Sequence, residues 1–141
     1  MKNVLITVKT VQVNGDDKEV LELTSEGRFG EKDGAFLINY KDSMMSDEYG
    51  AVNTNIKLSS KGVVTISRSG AYNSKITLEE GKRLNCVYHT PFGAMTMGFF
   101  AETIEAGLNK NGGSLVLKYT VDVNKSQINK NEIYITVKDV K

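Results

Sequence analysis

The sequence feature richest in chemistry is an arginine on an apolar strand face. In the run 63–69, Val64, Ile66 and Arg68 alternate with Val63, Thr65, Ser67 and Ser69. Residues two apart on a strand share a face, so the apolar pair carries the Arg68 guanidinium to the interior side, near one strand end. Tyr40, Tyr88 and Tyr119 fall on the apolar faces of their own predicted strands by the same count. A guanidinium among phenols receives a carboxylate or a phosphate through charge-assisted hydrogen bonds. The competing reading is structural. Arg68 then snorkels out of the barrel end or pairs with a carboxylate, and the tyrosines fill volume with each hydroxyl on a backbone carbonyl.

Other candidates are weaker. Met95, Met97 and Phe99 alternate on one face; methionines suit irregular cavities but also fill cores. Met44, Met45 and Tyr49 stand in a polar loop, 42–50, as a lid or contact site, or as a plug folded over a barrel end. Cys86 and His89, each the one residue of its kind, lie three apart on a predicted strand. They point to opposite faces, which rules out a local nucleophile–base pair. Cys86, grouped with Leu84 and Tyr88, is expected to be a buried, inert thiol. His89 is expected at the surface, and one histidine cannot supply the three or four ligands of a zinc site. Asp16, Asp17, Asp47 and Glu48 read as solvated turn acids. The glycines sit in turns, and none opens a helix as a phosphate-binding loop does. No cofactor and no metal are expected, and no catalytic constellation is readable.

The elements that position these residues are strands throughout. Short apolar runs alternate with period two and are separated by turn residues. They cover 4–13, 19–29, 35–41, 52–59, 63–69, 76–79, 84–90, 94–106, 115–123 and 133–137. Asp33-Gly34, Lys61-Gly62 and Asn111-Gly112-Gly113 mark turns, and Pro91 marks a corner. Residues 101–108 also read as a short helix, but the alternation of Met95, Met97 and Phe99 favours strand. Roughly eight to ten strands at this spacing indicate an all-β domain. Closure into a single antiparallel barrel, residues 1–141, removes exposed edges.

Composition narrows the partners. The net charge is +1, from 18 basic and 17 acidic residues. Residues 16–50 hold ten acids and four bases, and residues 51–90 hold six bases and two acids. No basic block marks a nucleic-acid footprint. No apolar run approaches the roughly 18 residues of a membrane span. The charged N-terminal stretch does not resemble a signal peptide, so a cytoplasmic protein is expected. One cysteine excludes an intrachain disulfide.

Several stretches resemble a known family. They are Arg68-Ser69-Gly70, Leu78-Glu79-Glu80-Gly81-Lys82, the corner Tyr88-His89-Thr90-Pro91-Phe92-Gly93, Met97-Gly98 and Asn111-Gly112-Gly113. Together they look like the DUF1934 family of small bacterial proteins, over nearly the whole chain. The resemblance implies a lipocalin-like (calycin-type) barrel from a Gram-positive bacterium and implies no activity. Its pattern carries an acid where this chain has His89, so a role needing a carboxylate there does not transfer. Calycins that carry fatty acids hold them with an arrangement similar to the one read around Arg68.

Two functions compete on this reading. One is a barrel that binds a small, partly apolar anionic ligand, with Arg68 as anchor. The other is a filled barrel that meets a protein partner through its surface and the 42–50 loop. RNA contact and enzymatic activity rank below both.

Overall fold

The period-two pattern becomes a single continuous sheet. In the computed structural model, which describes residues 2–42, 52–70, 74–90, 93–123 and 126–140, ten strands follow in chain order. They are β1 (Lys2–Asn14), β2 (Asp17–Lys32), β3 (Ala35–Asp42), β4 (Val52–Leu58), β5 (Val64–Gly70), β6 (Ser74–Leu78), β7 (Arg83–Thr90), β8 (Gly93–Asn109), β9 (Gly112–Val123) and β10 (Ser126–Asp139). Chain neighbours pair antiparallel, except that β6 and β7 share no ladder among the described residues; β10 also pairs with β1, giving the order β6-β5-β4-β3-β2-β1-β10-β9-β8-β7. The result is a nearly closed up-and-down barrel.

One face of every strand builds the core. In β9 Leu115, Leu117, Tyr119 and Val121 are all buried, while the positions between them reach solvent. Val4, Ile6 and Val8 of β1 do the same, and so do Ile133, Ile135 and Val137 of β10. Phe29 and Phe36 stack with ring centroids 5.8 Å apart. Burying this face supplies the main stabilisation, at about 25 cal/mol per Å² of apolar surface.

Strand lengths divide the wall. The strands β8, β9, β10, β1 and β2 run 12–17 residues, whereas β3 to β7 run 5–8. Where tall meets low, pairing stops early. β2 pairs with β1 from Asn14↔Asp17 to Lys2↔Phe29 but with β3 only from Lys32↔Ala35 to Gly27↔Tyr40. Gly27 sits at that limit on the inner face. A Cβ there would collide with the Asn39 carbonyl oxygen and with Cδ1 of Ile6. The missing side chain therefore lets Ile6 pack across β2.

Closure is less complete than the alternation suggests. Among the described residues β6 and β7 share no ladder and form the two edges of the sheet. They are joined by other means. The Cys86 thiol of β7 faces the Lys75 carbonyl of β6 at 3.7 Å. The connection between them docks on β8: Gly81 N–H donates to the Ala101 carbonyl at 2.8 Å, and the Glu80 carboxylate accepts from Ile104 N–H at 2.7 Å. The expectation of a fully buried Cys86 is corrected accordingly. The thiol is half-buried because its strand is an edge.

The helix alternative for 101–108 is also resolved as strand. The register of β8 on β9 slips between Ala101 and Thr103. This β-bulge moves the inward positions from Phe99 and Ala101 to Ile104 and Leu108. A bulge inserts one residue into the alternation, and the resulting spacing imitates a helical face.

On the outside, β7 is pinned to its neighbours by Arg83. The guanidinium crosses Gly98 of β8 and forks onto Asp122 of β9, with Nε–Oδ2 3.1 Å and Nη2–Oδ1 2.6 Å. A third bond reaches Oδ1 of Asn85 at 2.7 Å.

Candidate functional site

The inner wall of the short strands carries a polar row. Tyr40, Thr54 and Arg68 pair in register across β3, β4 and β5, all on the inward face. The row below is apolar, with Ile38, Ile56 and Ile66 each buried. Arg68 therefore enters the interior for the reason read from its strand: Val64 and Ile66 are buried and share its parity.

Tyr40 and Arg68 of this row line a cavity of about 200 Å³. Tyr40, Arg68, Ile56 and Ile66 form one side, Val8 and Ile133 the next, and Leu21 and Leu23 close it from the upper half of β2. Thr10 and Gln12 add polar groups toward the rim that carries the β1–β2 turn. The upper half of the β1–β2 hairpin thus leans over the short strands.

Two polar atoms here are buried without a hydrogen-bond partner, Nε of Arg68 and Oγ1 of Thr54. Thr54 is 0 % exposed. Buried polar groups nearly always find a partner, and leaving one unpaired costs about 1–3 kcal/mol. An Nε–H and a neighbouring Nη–H form the side-on fork that matches a carboxylate. Arg68 is the one charged side chain on the cavity wall among the described residues.

The remaining predicted residues fall elsewhere. Phe99 and Tyr119 are buried together with ring centroids 6.2 Å apart, and Met97 packs against the same core. None of the three lines the Arg68 cavity. Tyr88 and Met95 oppose each other in the β7–β8 register, but their side chains lie outside the described residues, as does the side chain of His89. Met44, Met45 and Tyr49 lie outside the described residues entirely. Of the three phenols grouped with Arg68 by sequence, Tyr40 is therefore the one placed beside it.

Reading the sequence missed Thr54, Thr10, Leu21 and Leu23 as site residues. Thr54 had a signal, since it shares a face with Ile56 and Leu58. Its neighbour across the sheet was not readable, because cross-strand register is a tertiary property.

Among the described residues no three His, Cys, Asp or Glu side chains gather as metal ligands. Among the described residues no helix is long and apolar enough to cross a membrane.

Comparison with known proteins agrees with the fold. The model of the DUF1934 family, a domain of unknown function, matches residues 6–135. The uncharacterized β-barrel protein YwiB of Bacillus subtilis (strain 168) is 24 % identical over 133 residues, covering 94 % of this chain and 91 % of the relative. The crystal structure of the ywiB protein from Bacillus subtilis superposes with a TM-score of 0.83 at 22 % identity, covering 99 % of this chain and 92 % of that one.

Proposed function

The chain belongs to the DUF1934 family of β-barrel proteins, and from that premise we propose that it is a binding protein whose barrel holds one small, partly apolar monoanion. The observation that carries this reading is the partnerless, buried Nε of Arg68 beside an otherwise mostly apolar cavity. A bound carboxylate accepts from the guanidinium edge of Arg68, and its apolar body lies against Ile56, Ile66 and Val8. Catalysis is no part of the proposal.

Charge and volume limit the ligand. One guanidinium neutralises one negative charge. A dianion such as a phosphate monoester keeps an unpaired charge among apolar walls, which is costly. The cavity, about 200 Å³, is smaller than the roughly 300–1,000 Å³ of drug-sized sites. A short-chain or compact aryl carboxylate fits these limits.

Native mass spectrometry of protein purified from a bacterial cytoplasm, followed by denaturation and analysis of released molecules, is the first test. Titration with 2-naphthoate, 2-naphthyl phosphate and 2-naphthylmethylamine is the second. The expected result is a retained or saturably bound monoanion at one per chain, lost in Arg68→Met. A clean apo mass together with no saturable binding of any acid in a panel of short-chain and aryl carboxylates would overturn the proposal.

A further inference from the structure

The tall wall of the barrel carries a second inward polar group, away from Arg68. Gln12 of β1 and Asn131 of β10 stand directly opposite each other in the ladder. Gln12 shares parity with Val8 and Thr10, and Asn131 shares it with Ile133, so both belong to the inner face. Gln12, Thr10 and Ile133 line the same cavity as Arg68. Around the ten-strand ring β1 stands four places from β5, and β10 stands five. The pair therefore occupies the wall across from the guanidinium. Asn131 is 8 % exposed and, with Thr54, makes up the buried polar residues among those described. Its side-chain amide has no hydrogen-bond partner among them. Buried amides nearly always find a partner, so this wall has bonding capacity that the protein itself does not use.

We propose that the ligand is a hydroxy acid, with its carboxylate on Arg68 and a neutral hydroxyl at its far end received by Gln12, with Asn131 beside it. This rests on the binding reading above and narrows its ligand class. A carboxamide both donates and accepts, as a hydroxyl does, so the two pair in either sense. A methyl in the same place displaces water and leaves the amide unpaired, and sites that bond a substrate hydroxyl reject the analogue lacking it. The far group is neutral for a reason of charge. Arg68 is the one charged side chain on the cavity wall among the described residues, and the residue opposite Gln12 on β2 is Glu19. A second carboxylate at that end meets no cation and has one like charge beside it.

The test is isothermal titration of the full chain with matched acids. One pair is 6-hydroxy-2-naphthoate and 6-methyl-2-naphthoate; the flexible pair is 6-hydroxyhexanoate and heptanoate. Within each pair a hydroxyl replaces a methyl of similar size. In the pair that fits, the hydroxy acid binds about tenfold tighter than its methyl partner. The dianion 2,6-naphthalenedicarboxylate binds more weakly than either naphthoate. Gln12→Met, at an exposed position, weakens the hydroxy acid alone and brings the two affinities within about twofold. Asn131→Leu narrows the same gap, and Arg68→Met abolishes binding of both acids. Equal affinity of the hydroxy and methyl acids overturns the second contact alone, and so does a preference that survives Gln12→Met. A different carboxylate that binds in their place is compared with its own hydroxy and methyl derivatives by the same criterion. No saturable binding of these acids or of the wider carboxylate panel overturns the contact and the binding reading together.

Discussion

Thr54 and Arg68 face each other across β4 and β5 on the inner wall, and each holds one buried polar atom without a partner. The two unmet groups are adjacent, and the cavity lies on Arg68's side of the pair. A fold that gained nothing from them would place apolar residues at both positions, as it does one row below with Ile56 and Ile66.

Thr54→Val is therefore expected to separate stability from binding. Removing an unmet hydroxyl while keeping its shape raises the stability of the ligand-free protein by about 1 kcal/mol. The same change leaves 2-naphthoate binding unaltered, because Thr54 is not on the cavity wall. Urea denaturation and a fluorescence titration of the same variant check both halves. A loss of stability on this substitution would mean that the hydroxyl has a bonding partner in the folded protein.

Gly27→Ala is expected to destabilise. The new methyl meets the Asn39 carbonyl oxygen, which is backbone in a paired stretch and has little room to move. Overpacking of this kind costs about 1–3 kcal/mol, readable as a lower denaturation midpoint at unchanged m-value. Gly15→Ala is the useful contrast, since no atom lies within 4 Å of its Cβ and only its positive φ of 64° opposes the change.

Gly98→Ala and Arg83→Ala should share one phenotype. A methyl at 98 displaces the guanidinium, and truncation removes it, so both unpin β7 from β9. Amide hydrogen exchange in β7 accelerates in both variants, while β1 and β10, in the middle of the sheet, keep their protection. If Gly98→Ala leaves β7 as protected as before, the fork onto Asp122 does not hold that edge.

Tyr134 carries a pH signature. Its hydroxyl donates to Oε1 of Glu132, and this bond, with smaller contributions from desolvation and the charges of Glu132 and Glu105, pushes the phenol above its ordinary range. A raised folded-state value means that the contribution to stability is present below the unfolded phenol pKa and disappears as pH rises through the folded one. In an ultraviolet titration Tyr134 ionises late, and Glu132→Gln moves its step down. An unchanged curve in Glu132→Gln would show that the bond does not form.

Much of the architecture was readable from the chain, and the reason is parity. Leu115 to Val123, or Val64 to Arg68, needs no tertiary information to show which side chains share a wall. Parity also carried Arg68 and Tyr40 to the same interior. It could not say which strands neighbour each other around the ring. Tyr119 and Phe99 therefore looked equivalent to Tyr40 until the sheet order placed them in a different part of the interior. Alternation likewise cannot reveal where a ladder stops. Residues 19–25 alternate as well as any strand, yet among the described residues the β2–β3 ladder stops at Gly27↔Tyr40, short of Leu21 and Leu23. The bulge after Ala101 broke parity outright, which is why 101–108 looked helical.

The joint between β6 and β7 makes this barrel a split ring. In a hoop whose staves are all bonded, circumference is fixed by hydrogen-bond spacing, and a wider interior requires another strand. Here the last gap is spanned by a thiol and by a carboxylate-bearing loop. The Cys86 side chain is a spacer at that joint, beside the backbone bridge of Glu80 to Ala101. A substitution at Cys86 therefore acts on the seam of the ring and leaves the ladders between the described strands intact.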